Sequence, residues 1–571
     1  CRGKISRGKL DVAILFDNIK KDDRVVTLNE EVARGYFDAL KNMSEIFGIE
    51  NDITASKLSV FPDVFTVEKK EQDKEKINED VKKVLIDALS DLTDARAREG
   101  ERLKKFFDES IEKMADLVRR IETRSPETIT EFAERIKQRV EDFTNGVTLD
   151  ESRLLAEVCL YTDKINITEN GVIITDKAGV IQGVFAADAL PPAYQSANIE
   201  DFGSRIITTS FCDMHLHAPQ YPMLGLGMDL PLMQWLYNYT FRTEAMFKDT
   251  GFAREVYSVL ARELIARGTT HVCAFSSVHT DASLVLMEEL ERAGVYGFVG
   301  KISMDRNTTD ELRETTEGAL SEERRFIVEA LSRFGGIRPI ITPRFTPSCT
   351  DELMAGLGAL GAEYGLRAQS HLSENFEEIA MVRSLCPDCE RYYQTYEKAG
   401  LFGRDAVMAH CVHIDDIERA AMKAAGVWVA HCPNSNTNIY SGIAPVRRMM
   451  AEGLKIGLGS DIAGGDKLSM RHVACAAIRA SKLRYYYADR AGEERFLEVG
   501  EAFSLASARP RELFGLSRGF AAGEKLFAIV LDDSSHGPAI PLNAAERFER
   551  LIYSDDLHDI FAVYSGGIRR K

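Results

Sequence analysis

The chain has 571 residues, 72 of them Lys or Arg and 89 Asp or Glu, for a formal net charge of −17. That balance argues against a nucleic-acid partner held by bulk charge. No apolar stretch approaches the ~18 residues of a spanning helix, and Cys1-Arg2-Gly3-Lys4 opens no signal peptide, so a soluble cytoplasmic protein without a membrane partner is expected.

The first 168 residues carry 30 Lys/Arg and 36 Asp/Glu but no histidine; all eleven histidines lie between His215 and His558. Any imidazole chemistry therefore belongs to the later part. Within 1–168 the pattern predicts a short strand, Lys9 to Phe16, then helices from about Leu28 to Phe47, Glu75 to Arg124 and Pro126 to Asn145. Apolar residues recur at helical spacing, as in Val81, Val84, Leu85, Ala88, Leu89 and Leu92, with charge between them. Such amphipathic helices need partners, and the plain reading is a solvated bundle or an oligomerisation arm.

Three stretches, SRGKLDVAI (6–14), AREGERLKKFF (97–107) and LLAEVCLYTDKINITEN (154–170), resemble the YicC/YloC-like bacterial family of endoribonucleases. The resemblance runs to about residue 168 and stops before the family's C-terminal part. It implies an alternative role in RNA processing, which the nearly balanced charge of the segment does not favour.

Beyond residue 170, glycine-punctuated strands alternate with helix-length connections. Predicted strands are Ser210–His217, Thr269–Ser277, Val295–Ile302, Ile337–Arg344, Leu366–Leu372, Ala406–His413, Val427–Cys432 and Lys455–Asp461. Eight such units predict an α/β fold, a parallel (β/α)8 TIM-type barrel over 208–519. Strand-like pieces at Gly171–Phe185, Lys525–Asp532 and Ile560–Ser565 predict a small flanking β-domain from 169–207 and 520–571. The predicted domains are thus a mostly helical segment over 1–168, the barrel, and this flanking sheet.

His215-Leu216-His217 ends the first predicted strand, where alternation puts both imidazoles on one face. His371, His410 and Asp461 end three others. The interval from His217 to His371 is 154 residues, about four βα units, and from His371 to His410 it is 39, about one. Strands one, five, six and eight would deliver these groups to the same barrel mouth. Three imidazoles and a carboxylate suit one zinc ion, with iron the second choice, and an ion with an open position acidifies bound water. The fourth strand, IRPIITPR, has no lysine to bridge a second metal.

The neighbours suit a flat, nitrogen-rich ring. Glu374 can shuttle a proton between water and ring, Asp461 can take and return one, and His410 can polarise the attacked centre. Arg344 offers a fixed fork to a carbonyl, and Gln220 both a donor and an acceptor.

Residues 211–244 (FCDMHLHAPQYPMLGLGMDLPLMQWLYNYTFRTE), TPRFTPSC (342–349), SHLSEN (370–375), MAHCVH (408–413), AHCPNSN (430–436) and GLGSDIAGG (457–465) resemble the guanine deaminases of the amidohydrolase superfamily. The resemblance spans roughly 170–571. It implies zinc on His215, His217, His371 and Asp461, guanine on Gln220, Arg344, Phe345 and Glu374, proton transfer by Glu374 and Asp461, and His410 in the active site. Hydrolytic loss of ammonia from guanine to give xanthine follows, with a homodimer as the implied assembly. Other cyclic amidines, an s-triazine, cytosine or an adenine derivative, are the alternative substrates. The family's strands before Gly171 are replaced by the helical segment, so an incomplete flanking sheet is expected. Thr208-Thr209-Ser210-Phe211 stands where Pro-Gly is common and is expected to alter only a turn.

Other signals read as structural. Cys386-Pro387-Asp388-Cys389 has no second pair at finger spacing, and no histidine is followed by Glu at i+2, which excludes the cytidine-deaminase signature. His271, His279, His413, His431 and His472 read as core or supporting residues, and the ten cysteines as mostly reduced and buried. Gly464-Gly465 reads as a turn beside the site, Asp229-Leu230-Pro231 as a helix start, and Trp235, Tyr237, Tyr239 and Phe241 as wall packing.

Overall fold

The computed structural model describes residues 24–69, most of 78–108, and 171–571 apart from 488–494, 537–539 and 541. The chain divides into two units, Cys1–Val158 and Cys159–Lys571.

In the first unit, Arg24–Leu28 pairs antiparallel with Phe65–Lys69, a pairing absent from the helical reading. The first helix runs Glu30–Phe47 rather than from Leu28. Asn29 caps it by accepting from Val32 N at 3.4 Å, and Gly48 ends it at φ 62°. Residues 81–95 are helical, as predicted. Of their apolar stripe, Leu89 is buried whereas Val84 and Leu92 are exposed. The predicted strand Lys9–Phe16 and helix Pro126–Asn145 lie outside the described residues.

In the second unit, Phe211–His217, Thr269–Phe275, Tyr296–Gly300 and Ile337–Pro339 pair in parallel in that order. Gln369–Leu372, Val407–His410, Trp428–His431 and Lys455–Leu458 form a second parallel set. Short extensions, Ile302–Ser303 against Thr342–Pro343, continue the third and fourth strands, and a bridge from Ile341 to Ala368 joins the sets. The ring closes where Asp461 N donates to His215 O at 2.8 Å and His217 N to Ile462 O at 3.3 Å. This is the predicted (β/α)8 barrel. Its interior layer includes Met214, Cys273, Val407, Ala409, Trp428, Ala430 and Leu513. A larger apolar shell packs the strands against helices such as Thr250–Ala266 and Thr280–Ala293.

Several strands are shorter than predicted. Ile337–Arg344 is split because Pro339 and Pro343 have no N–H for the ladder. Leu366–Leu372 begins only at Gln369, since the preceding helix turns off at Gly365, φ 63°, and Leu366 N caps Gly361 O.

The flanking sheet is antiparallel, with Ile206–Thr209 on Ala528–Leu531, then Ile560–Ser565, then Ile568–Arg569. Thr208 and Thr209, expected to change only a turn, are strand residues paired with Ile529 and Ala528. The hairpin Gly171–Thr175 with Ile181–Ala186 joins through a bridge from Val180 to Lys525. At its turn, Gly179 passes so close to Gly567 that a Cβ would lie 2.3 Å from the Gly567 Cα.

Candidate active site

The C-terminal ends of strands one, five, six and eight bring His215, His217, His371, His410 and Asp461 into one buried cluster. His217 Nε2 and His371 Nε2 are 3.0 Å apart. His215 Nε2 lies 3.3 Å and His217 Nε2 3.7 Å from Asp461 Oδ1. The 3.3 Å approach lacks hydrogen-bond geometry, and buried His215 Nε2 has no partner. An orphaned His215 Nε2, with His217 Nε2 and His371 Nε2 packed against each other beside a carboxylate, fits a metal ion better than a hydrogen-bond network.

Protonation agrees with that fit. Burial pushes His215 down, and burial with neighbouring imidazoles pushes His217 and His371 well down, so all three stay neutral. Burial raises Asp461, but His215, His410 and His217 outweigh it and hold the carboxyl well below its usual range. Neutral imidazoles and an ionised carboxylate are the forms a metal requires. His371 is aimed by its Nδ1, which donates to Arg344 O at 2.6 Å.

Two donor groups satisfy metal-binding spacing among the described residues: His215, His217 and His371, and His215, His410, Cys432 and Asp461. Cys432 was not anticipated. Its thiol donates to Ala430 O at 3.4 Å, and burial pushes its pKa well up.

His410 differs from the other three. Its Nδ1 pairs with Asn436 Oδ1 at 2.9 Å, while Nε2 faces Glu374 Oε2 at 3.5 Å and Asp461 Oδ2 at 3.7 Å. Burial lowers its pKa, but the two carboxylates outweigh that and raise it. Glu374 is pushed up to about 7 by burial, against the pull of His410. Its Oε1 accepts from Ser441 Oγ at 2.9 Å. Glu374 is thereby poised to take and give a proton near neutrality.

Backbone conformation also concentrates here. His410 and Asp461 have φ of 68° and 48°, the left-handed region that side chains seldom occupy outside over-determined sites. Gly464-Gly465 does form a turn: Gly465 N donates to Asp461 O at 2.7 Å, and a Cβ on Gly464 would come within 2.6 Å of Ser435 Oγ.

A narrow pocket opens beside the cluster. Its polar lining includes Gln220, Arg344 and Glu374, and its apolar lining Leu232, Trp235, Leu236, Phe345 and Ile439. The Phe345 ring stands 6.3 Å from that of His371 at 69°. Trp235 and Phe241 are buried, as wall packing requires, but Tyr237 and Tyr239 are exposed; a π-helical turn over Leu236–Thr240 separates them. The helix start lies at Pro231, with Asp229 making no cap.

Three residues that the sequence did not single out anchor this site. Glu244 accepts from Gln220 Nε2 at 2.8 Å and from Arg344 Nη1 at 2.6 Å. Asp213 Oδ1 accepts from His215 N at 3.3 Å and Ser460 N at 2.9 Å, tying together the ends that carry His215 and Asp461. Ser441 holds Glu374. Glu244 stands inside the 211–244 block, but its partners lie 24 and 100 residues away, a separation that no local pattern reveals. His271, His279, His413, His431 and His472 lie outside both donor groups, and so do Cys386 and Cys389. The described cysteines are free and all but Cys389 are buried.

Residues 206–553 match the family described as Amidohydrolase family. The chain belongs to this family. Among its relatives, "Guanine deaminase" of Dictyostelium discoideum is 36% identical over 385 residues, 66% of this chain and 85% of the relative. "Guanine deaminase" of Rattus norvegicus is 38% identical over 368 residues, 62% of this chain and 80% of the relative. The solved structure of guanine deaminase from C. acetobutylicum, with guanine bound in its active site, has a TM-score of 0.69 and 39% identity, covering 72% of this chain and 96% of that one. Residues 1–105 match the family described as Endoribonuclease YicC-like, N-terminal region, a shorter reach than the expected 168. Among the described residues, no helix is long and apolar enough to cross a membrane.

Proposed function

We propose that this chain is a zinc-dependent guanine deaminase acting in purine catabolism or salvage, converting guanine and water to xanthine and ammonia. The observation that carries the reading is a cluster of neutral imidazoles and an ionised Asp461, set beside a narrow pocket lined by Gln220, Arg344, Glu374 and apolar side chains. The relative solved with guanine in its active site supports the choice of purine.

His215, His217, His371 and Asp461 would hold one zinc ion. When bound, zinc supplies a Lewis acid that brings the pKa of water towards neutrality. The chain's own groups then manage position and protons. Arg344 donates to the ring carbonyl, Gln220 reads the adjacent edge, and Phe345 with Trp235 confines the ring plane. Glu374 takes a proton from the attacking water and delivers it to the ring nitrogen beside C2. Once the C2–O bond has formed, Asp461 takes the remaining proton of the new C2 hydroxyl and gives it to the amino group, so that the C2–N bond breaks, ammonia leaves and C2–OH becomes a carbonyl. His410, raised in pKa between Glu374 and Asp461, stabilises charge developing at the attacked carbon.

The protein is proposed to work in the cytoplasm as a homodimer. Purified full chain with zinc should turn over guanine far faster than cytosine, an s-triazine or adenine. Preference for one of those three would replace guanine as the assigned substrate. A second reading, RNA cleavage through the N-terminal segment, rests on the family match over 1–105. Degradation of RNA by the full chain, unaffected by Glu374→Gln, would support it.

A further inference from the structure

Glu244 is 1% exposed, sits on the short helix Phe241–Ala245 and belongs to neither donor group. Its two oxygens are committed to different residues: Oε1 accepts from Gln220 Nε2 at 2.8 Å, and Oε2 from Arg344 Nη1 at 2.6 Å. The same helix places the Phe241 ring under the Arg344 guanidinium, 5.3 Å from carbon to ring centre. Both clamped side chains line the ligand pocket.

The consequence is chemical. A carboxylate paired with arginine only accepts, so the Gln220 amide must turn its NH2 towards Glu244. Its Oε1 is then left without a partner, buried. A buried acceptor without a donor is costly, and a ligand N–H would satisfy it. Arg344 can only donate, and the bond to Glu244 leaves most of its donors for a ligand acceptor.

We propose that Glu244 is a positioning residue that sets the hydrogen-bond polarity of the pocket, fixing Gln220 as an acceptor and Arg344 as a donor. The site thereby selects a ring lactam, C=O beside N–H, over an edge of opposite polarity. This rests on the deaminase reading above and adds the residue that gives the pocket its sense. Guanine presents such a lactam at C6 and N1. 2,6-Diaminopurine has the same ring and the same 2-amino leaving group but inverts the edge, with NH2 at C6 and a bare N1.

The test compares kcat/KM for these two purines in wild-type, Glu244→Gln and Glu244→Asp full chains, each with zinc content measured. Wild type should prefer guanine by roughly 10³-fold or more, as expected where buried polar groups would be left unpaired. In Glu244→Gln the new amide can donate or accept, so Gln220 is free to turn. The preference should fall by at least about tenfold, mainly through a raised KM for guanine, with zinc content and Tm retained. Glu244→Asp keeps an acceptor-only group and should keep the preference while both kcat/KM values fall.

A Glu244→Gln enzyme that loses both activities by one common factor would overturn the proposal and leave Glu244 as mere packing. If that variant does not fold, a wild-type preference below about tenfold, or an altered preference in Glu244→Asp, overturns it instead. Absence of guanine turnover in wild type would remove the deaminase reading itself, a failure distinct from an unchanged preference in an active enzyme.

Discussion

Replacing Glu374 by Gln isolates proton transfer from metal binding. The side chain is 3% exposed, with Oε1 accepting from Ser441 Oγ at 2.9 Å and Oε2 3.5 Å from His410 Nε2. Glutamine has the same volume and can still accept from Ser441, and neither donor group includes Glu374. What it removes is a carboxyl that burial has brought to about 7, so that both protonation states are populated at neutral pH. A positioned acid–base group contributes roughly 10²–10⁴-fold to rate, about 3–5 kcal/mol of barrier. Because Glu374 is assigned both the removal of a proton from water and its delivery to the ring, the loss in kcat should lie in the upper part of that range. The assay is xanthine formation from guanine by the full chain, with zinc measured on the same sample. Wild-type zinc with kcat lowered about 10³-fold or more is expected. Equal zinc with kcat reduced less than about fivefold would refute the relay.

Ser441→Ala removes the hydroxyl that holds Glu374. A hydrogen bond to a charged group contributes about 1.5–3 kcal/mol, so kcat should fall roughly 10-fold or more with zinc and Tm near wild type; unchanged kcat would show that Ser441 does not position Glu374. Cys432→Ser should retain zinc whereas His371→Ala should lose it, and zinc loss from the first variant would put Cys432 among the ligands. Glu323 offers a pH test: it is fully buried, and burial pushes its carboxyl up to about 8, opposed by Lys301. A folded pKa above the unfolded one means the native state holds a proton that the unfolded chain releases. That stability is full below about pH 4.5 and is lost as pH rises through about 8. Glu323→Gln should therefore gain in Tm relative to wild type between pH 5 and 8, by an amount equivalent to roughly 1–3 kcal/mol; a constant difference across that range would contradict it.

The barrel and its donor residues were legible because both rest on local, repeating signals. Strand-end histidines at multiples of one βα unit can be read from spacing alone, and His215 with His217 needs only the two-residue period of a strand. Strand limits were harder, since Pro339, Pro343 and Gly365 act through missing or redirected hydrogen bonds rather than through hydrophobic pattern. Hidden altogether were groups whose role exists only through distant partners. Glu244 and Ser441 bind site residues 24, 100 and 67 residues away, and Asp213 joins the strand end of His215 to Ser460, 247 residues on, beside Asp461. The N-terminal reading anticipated the helix Glu30–Phe47 and helical residues 81–95 but missed the pairing of Arg24–Leu28 with Phe65–Lys69, because strands so far apart in sequence carry no short-range turn signal.

The most direct test of the whole account is zinc titration into metal-free full chain in the presence of guanine, following xanthine and ammonia together. The account predicts no turnover without metal, activity that rises to saturation at one zinc per chain, and equimolar products. Guanine left intact at saturating zinc, or consumed equally well by the metal-free chain, would contradict it.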